Sequence, residues 1–342
     1  MNFAPASIHH IDEIRQVISI GEVKEAVRNA LIAHGDGAIV CPPPGQLLFD
    51  RPRGDCHIKY ASKQDGDAFV VKVATGFYEN PALGLPVNNG MVLLFSAKTG
   101  GLIAIFHDEG WLTSWRTAAA GALAAQAGCP STVKRLGIIG TGHQAELQAA
   151  WASGALGGVG VTIWGRSPDR ATQLALSLQE QGMQADTSST VEQLLHRCNV
   201  VISCTSSAVP LVLAEHVQAG THIVSIGADS SGKAELDPAL FNRASAIATD
   251  DHHHCLENGD FGKAVRAGFV AADADIHVGK VLDGTSRLRL SDSDITIVSL
   301  SGLAAQDLAI ATLVWNGIGQ GRCNRASSNR SKSSSTSSAV DS

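Results

Sequence analysis

The chain has 342 residues, of which 44% are hydrophobic and 17% charged, enough for two globular domains with a well-buried core. A formal net charge of -6 gives no polycationic footprint for nucleic acid, and no Lys/Arg run suits a membrane surface. No stretch approaches the roughly eighteen apolar residues of a membrane span, and the first twenty or so lack a basic-then-apolar leader pattern, so the expectation is a cytoplasmic protein.

Up to about residue 128 the text mixes one helix-like stretch, GEVKEAVRNALIAHG, with strand-like runs DAFVVKVATGF and MVLLFSAKTGGLIAIFHD. In the last run, AKTGG carries the glycine of a hairpin loop. That is α+β patterning. Within DAFVVKVATGF, Lys72 interrupts an apolar strand, where it is either a lysine snorkelling from an edge strand or a functional cation. Asn88 and Asn89 precede a glycine, a good turn sequence.

Next comes WLTSWRTAAAG, where Thr113 is a plausible N-cap for an alanine-rich helix. Arg116 then falls near the positive end of the helix dipole, an unfavourable place unless an anion is close.

Beyond GCPSTVK, short apolar strands alternate with helical periods: RLGIIG, QAELQAAWASG, GVTIWG, DRATQLALSLQEQG, NVVISCTS and THIVSIG. Such alternation predicts a parallel sheet covered by helices. Gly140, Gly142 and Ala145 follow the first strand in GxGxxA spacing and open the next helix. Gly140 permits the turn, Gly142 admits a pyrophosphate, and the helix start at His143 and Gln144 turns amides towards phosphates.

About twenty residues further on, a dinucleotide site for NAD carries an acid on the ribose 2′-hydroxyl, whereas an Arg accommodates the 2′-phosphate of NADP. Here the strand ends in Gly165, Arg166 and Ser167, with a guanidinium fork and a hydroxyl but no acid. The expected cofactor is NADP(H) ahead of NAD(H).

Asp229 follows a strand in IGADSSGKAEL, as a turn or cap residue ahead of a helix near Lys233 or as a functional acid at the ligand-binding edge. Thr249–Asp260 concentrates three His, two further Asp and a Cys, yet consecutive histidines cannot share one ion and no zinc spacing is present, so no metal site is expected. The seven cysteines include no CxxC and read as free thiols. The chain closes with a strand, a glycine turn and a long apolar helix, then a Ser-rich tail read as disordered from its composition.

Four motifs in this order, DEGWLTSWRTAAAGALAA, GIIGTGHQAELQ, SIGADSSGKAELDPALF and DITIVSLSGLAAQDLA, resemble the ornithine cyclodeaminase and mu-crystallin family over nearly the whole chain. The resemblance implies an α/β fold: a Rossmann-type doubly wound parallel sheet over 129–304, and an α+β substrate-binding and dimerisation domain over 1–128, completed by about 305–322, leaving 323–342 as the tail.

It further implies a homodimeric oxidoreductase moving a hydride at the α-carbon of an imino or amino acid. The nearest alternative is an ammonia-releasing cyclodeaminase, and a non-catalytic NADP-dependent small-molecule binder stands as another class. By the same resemblance Lys72 and Arg116 hold the substrate carboxylate, Asp229 exchanges the proton, and Thr117, Thr205, Ser206, Asn88 and Asn89 approach the cofactor. Two departures stand out. Gly45 or Gln46 replaces a carboxylate-binding Arg, and DCHIKYA, with His57 and Lys59, replaces the acid that meets a diamino acid's distal ammonium.

Overall fold

The structure, a computed structural model, describes residues 5–230 and 232–334, with side chains through residue 320. It is built on two sheets. The first carries β1 (Ser7–His10), β2 (Ile39–Val40), β3 (Gly45–Asp50), β4 (Arg53–Lys63), β5 (Ala68–Phe77), β6 (Asn88–Ser96) and β7 (Leu102–His107). Its order is β1-β7-β6-β5-β4-β2, with β3 also paired to β4; β1 runs parallel to β7 and the remaining pairs are antiparallel.

Helices α1 (Ile11–Arg15), α2 (Ile20–Gly35) and α3 (Trp111–Ala127) accompany this sheet. Ser19 starts α2 with a capping box, its hydroxyl accepting from the Glu22 amide while Glu22 accepts from the Ser19 amide. Val23, Val27, Ala30 and Leu31 then form its buried stripe at helical spacing. The alanine-rich α3 is buried on nearly every side, chiefly by other helices and by the second of the two sheets. A Cβ on Gly121 would lie 2.1 Å from the Gln148 Oε1, so glycine is what lets the next helix approach this closely.

The second sheet is entirely parallel: β8 (Leu136–Ile139), β9 (Val161–Trp164), β10 (Ala185–Thr187), β11 (Val200–Ser203), β12 (His222–Ser225), β13 (Ala246–Thr249), β14 (Asp275–His277) and β15 (Thr296–Ser299). The order is β10-β9-β8-β11-β12-β15-β13-β14. Chain direction from the first strand β8 runs outward both ways, so the topological switch lies between β8 and β11, at whose carboxyl ends ligands of open α/β sheets bind. Every residue of β8, β11, β12 and β15 is buried, which explains their continuous apolar text.

Helices α4 (His143–Ala155), α5 (Pro168–Glu180), α6 (Val191–Arg197), α7 (Pro238–Arg243), α8 (His252–Asn258), α9 (Asp260–Arg266) and α10 (Val278–Leu282) connect these strands, and α11 (Ala304–Ser334) follows β15. Leaving the parallel sheet, α11 packs against α2, α3 and strands β4 to β6 of the first sheet. It continues through Ser334, into the segment whose composition suggested a disordered tail, because extending a helix from a packed beginning costs far less than nucleating one. Residues 335–342 of that tail lie outside the described residues.

Three local expectations are corrected. Thr113 does not cap α3: the helix starts at Trp111 after Gly110, and Asp108 supplies the carboxylate that accepts from the Leu112 amide at 2.8 Å. No helix begins near Lys233 either. The chain there is pinned by the buried side chain of Glu235 and by Asp237, whose carboxylate accepts from the Ala239 amide at the start of α7. The Asn88-Asn89-Gly90 text, likewise, opens strand β6 opposite Gly76 and Thr75 instead of forming a turn.

Among the described residues no helix is long and apolar enough to cross a membrane, and Cys41, Cys56, Cys129, Cys198, Cys204 and Cys255 are free thiols.

Candidate active site

The glycine turn joins β8 to α4. Gly140 has φ +134°, and a Cβ there would meet the Cys204 carbonyl at 3.0 Å, so a side chain is excluded on two counts. Gly142 is the residue before α4, and nothing lies within 4 Å of where its Cβ would be. That open space lies at the N-terminus of a 13-residue helix, where free amides and the helix dipole favour an anion. Ala145 is fully buried against the sheet. The cradle therefore fits a dinucleotide pyrophosphate.

Around this turn the expected contacts divide. His143 is exposed at the helix start. Gln144 is committed elsewhere, donating to the Ser114 carbonyl at 3.1 Å and accepting from Gln148. Gly165 sits on the turn, its missing Cβ leaving room for the Thr141 methyl. Arg166 is exposed at the end of β9 with no ion-pair partner among the described residues. The Ser167 oxygen accepts from the Arg170 amide as the N-cap of α5, while its own proton stays available to a phosphate.

Across the cleft, on the first sheet, Lys72 lies in the interior strand β5 with only 2% exposure, which rules out the edge-strand reading. Its ammonium meets both oxygens of Asp307, at 3.0 and 2.9 Å. Arg116, also buried, donates from Nε to the same carboxylate at 3.1 Å and from Nη1 to the Gln306 oxygen at 3.1 Å. Gly302 completes the seat, since a Cβ there would fall 2.9 Å from Arg116 Nη1. Lys59, directly opposite Lys72 in the β4–β5 register, donates to the Gly302 and Ser301 carbonyls at 2.7 and 3.3 Å.

Three cations thus converge where one carboxylate makes direct ion pairs. Burial and the neighbouring Arg116 bring the Lys72 ammonium down to about 7. Burial opposes the charge of Asp307, but Lys72 and Arg116 outweigh it and hold that carboxyl below its usual range. The Gln306 Nε2 is buried without a partner, a donor free for a substrate oxygen. Asp108, at the entry to α3, keeps one oxygen unpaired, and burial pushes its carboxyl up to about 6.

Asp229 reaches this cleft from the parallel sheet, on the loop after β12. Lys233 pairs with it at 2.7 Å; burial would raise its pKa, yet Lys233, Lys59 and His57 together hold it ionised. His57 lies between Asp229 and Asp55, the latter 3.6 Å away, and burial is the main reason its imidazole stays neutral to lower pH than usual.

Beneath that loop lies Glu235, fully buried. Its carboxylate accepts from Ser203 Oγ (2.6 Å), the Thr205 amide (2.6 Å), Thr205 Oγ1 (2.9 Å), the Gly227 amide (2.6 Å) and Ser225 Oγ (3.2 Å). One side chain ties the ends of β11 and β12 to the loop that carries Asp229. Thr205, placed at the cofactor by resemblance, thereby has its hydroxyl turned to Glu235, whereas Ser206 is exposed. Thr117 donates back to the Thr113 carbonyl within α3. Asn88 and Asn89 are exposed at the start of β6, the latter accepting from the Gly90 amide.

Three site residues, Asp307, Gln306 and Glu235, escaped sequence reasoning. Asp307 and Gln306 are the polar pair inside the apolar run LAAQDLAIA, the same signal that exposed Lys72. Lys59 reads as a departure from the family pattern, and its place opposite Lys72 becomes visible only once β4 is set in register with β5. Glu235 left no signal, since ELD also reads as a helix approach. The histidine-rich stretch disperses: Asp251 caps α8, His252 pairs with Asp275 at 2.7 Å, and His254 faces Lys59. Among the described residues no group of three His, Cys, Asp or Glu is placed to hold a metal ion.

A two-domain enzyme fold with a dinucleotide cradle facing a cluster of cations is the class this geometry defines. The model of the ornithine cyclodeaminase/mu-crystallin family matches residues 6–322, and the chain belongs to that family. Among relatives, an uncharacterized cyclodeaminase, y4tK, of Sinorhizobium fredii is 33% identical over 307 residues, 89% of this chain and 93% of the relative. The iminosuccinate reductase of Paracoccus denitrificans is 34% identical over 252 residues, 73% of this chain and 78% of the relative; its structure with NAD+ superposes with TM-score 0.84, at 28% identity over 92% and 97% of the two chains. An archaeal alanine dehydrogenase dimer with bound NAD gives TM-score 0.85, at 30% identity over 93% and 97%.

Proposed function

We propose that this protein is an NADP(H)-dependent imino-acid reductase of the ornithine cyclodeaminase family, working in the cytoplasm as a homodimer. The turn at Gly140 and Gly142 with the start of α4 would hold a nicotinamide dinucleotide, which when bound would supply a hydride for the imine carbon. The protein's own residues do the rest: Lys72 and Arg116 hold the α-carboxylate beside Asp307, and Asp229, ionised in the free protein, exchanges a proton between solvent and the substrate nitrogen within hydrogen-bond reach. The carrying observation is that Lys72 and Arg116 share the Asp307 carboxylate at 2.9 and 3.1 Å while Lys59 beside them is near enough to Asp229, from the other half of the molecule, for that acid to act on its charge. Buried cations in excess over paired carboxylates call for an anionic substrate.

Arg166 supports NADP(H) over NAD(H): a permanently charged fork stands exposed at the end of β9 where an NAD site wants an acid. NADP pools serve mainly reduction, which favours the reductase direction over amino-acid oxidation. A cyclodeaminase remains the second reading, and the cationic Lys59 in place of an acid for a distal ammonium weighs against it. Retention of Lys72, Arg116 and Asp229 together weighs against a mere binder.

Nicotinamide absorbance separates the three. Consumption of NADPH with an imino acid supports reduction, ammonia release from ornithine without net cofactor change supports cyclodeamination, and neither supports a binder. Arg166→Asp is expected to weaken NADPH relative to NADH by about ten- to a hundredfold. An unchanged ratio rejects the cofactor assignment.

A further inference from the structure

Lys59 and Lys72 occupy directly opposed positions on β4 and β5. Like charges so placed destabilise a sheet unless anions lie between them. The protein answers this for one of the two: Asp307 takes Lys72 at 2.9 Å and Arg116 at 3.1 Å. Lys59 ends instead on two neutral carbonyls, those of Ser301 and Gly302, and has no carboxylate within 4 Å among the described residues. An α-carboxylate seated on Lys72 and Arg116 therefore leaves one buried ammonium with no carboxylate in direct contact, Asp229, Asp250 and Asp307 acting on it only from farther off.

Beside that ammonium lies a cavity of about 290 Å³, bounded by Lys59, the Pro42–Pro44 run, His254, and Gly302 and Leu303 at the start of α11. Its two acidic neighbours are otherwise occupied or remote in character: Asp251 accepts from the His254 amide at 2.7 Å and faces His34 at 3.5 Å, and Glu257 is an exposed side chain. Burial, with Lys59 the next cause, keeps the His254 imidazole neutral to lower pH than usual, and burial with Arg116 lowers the Lys59 ammonium from its ordinary value, a cost that a carboxylate beside it would offset.

We propose that Lys59 forms a subsite for a second carboxylate, carried on the substrate side chain, so that the preferred substrate is a dicarboxylic 2-imino acid. The inference rests on the reductase reading above. In the reaction the hydride of NADPH adds to the imine carbon, the C=N π pair moves onto nitrogen, and that nitrogen takes up one proton. The products are a dicarboxylic amino acid and NADP+. One carboxylate lies on Lys72 and Arg116 throughout and the other on Lys59.

The test compares three substrates with the full chain and NADPH: oxaloacetate with ammonium, which condense to a dicarboxylic imine, pyruvate with ammonium, and Δ1-pyrroline-2-carboxylate. The dicarboxylic imine is expected to show a kcat/KM at least about tenfold higher than either monocarboxylic one, the scale of one charge-assisted hydrogen bond. Lys59→Met is expected to bring that ratio close to one. Succinate should raise the melting temperature of the wild-type protein more than butyrate does, a binding readout independent of turnover and of the variant's folding. Equal or better use of the monocarboxylic substrates overturns the inference while the reductase reading stands, as does a Lys59→Met variant that loses both classes equally. No turnover of any of the three overturns the reductase reading and this inference with it.

Discussion

The two sheets do their work by different means. In the parallel sheet the ligand surface is mostly backbone: Gly140 and Gly142 clear space, the start of α4 offers amides, and the side chains beneath are buried and apolar. In the mixed sheet the ligand surface is side chains, with Lys59 and Lys72 standing on interior strands and Arg116 on the helix that follows. Backbone recognition suits a cofactor whose pyrophosphate is constant. Side-chain recognition leaves substrate choice to a few charges, which a single substitution changes.

Lys72→Met should break the contrast most sharply. Losing the buried ammonium is expected to lower kcat/KM by about a hundredfold or more, the scale of removing one preorganised charge. NADPH affinity, measured by fluorescence titration, should change little because the cofactor cradle lies on the other sheet. A matching loss of cofactor affinity would mean that the two surfaces are not separable.

Glu235→Gln probes the parallel side, where it should act through position. An amide cannot accept from all five donors now gathered on the carboxylate, so stability is expected to fall by about 2–4 kcal/mol. NADPH affinity should fall with it, as the ends of β11 and β12 lose their tie. An unchanged melting temperature would show that the clamp carries no weight.

The smallest effect comes from pH alone. With Lys72 titrating down at about 7, the free enzyme loses the ammonium as pH rises through that value, so kcat/KM should decline by up to about tenfold per pH unit above it. Stability moves the other way. The unfolded lysine keeps its proton to its ordinary value of 10.5, so between about 7 and 10.5 the unfolded chain binds more protons and folding is increasingly favoured by rising pH. A melting temperature that instead drops between pH 7 and 9, with activity flat, would reject the assignment to Lys72.

The same division explains what is legible in the sequence. Glycine spacing and apolar strands have local signatures, so the cradle and the parallel sheet can be read along the chain itself. Lys72 announces itself because a charge inside an apolar strand is costly. Lys59 does not, since β4 alternates polar and apolar residues and its meaning depends on which residue of β5 stands opposite. The exposed β3 is hidden by proline and glycine on either side, which read as loop. At Thr113 one local helix signal loses to another, since Asp108 takes the Leu112 amide ahead of it, while near Lys233 a tertiary one wins, since the burial of Glu235 draws its segment out of any helix.

Asp307 carries a last consequence. It lies 235 residues from Lys72 and 191 from Arg116, beyond the whole parallel sheet. A ribosome making this chain delivers both cations before the parallel sheet and their shared counter-ion only after it. Until α11 emerges, the first half must keep those charges hydrated and its sheet open on that side. The pocket these charges line therefore closes only after the parallel sheet has been made, and a chain cut before Asp307 would leave two uncompensated charges in what should be a core.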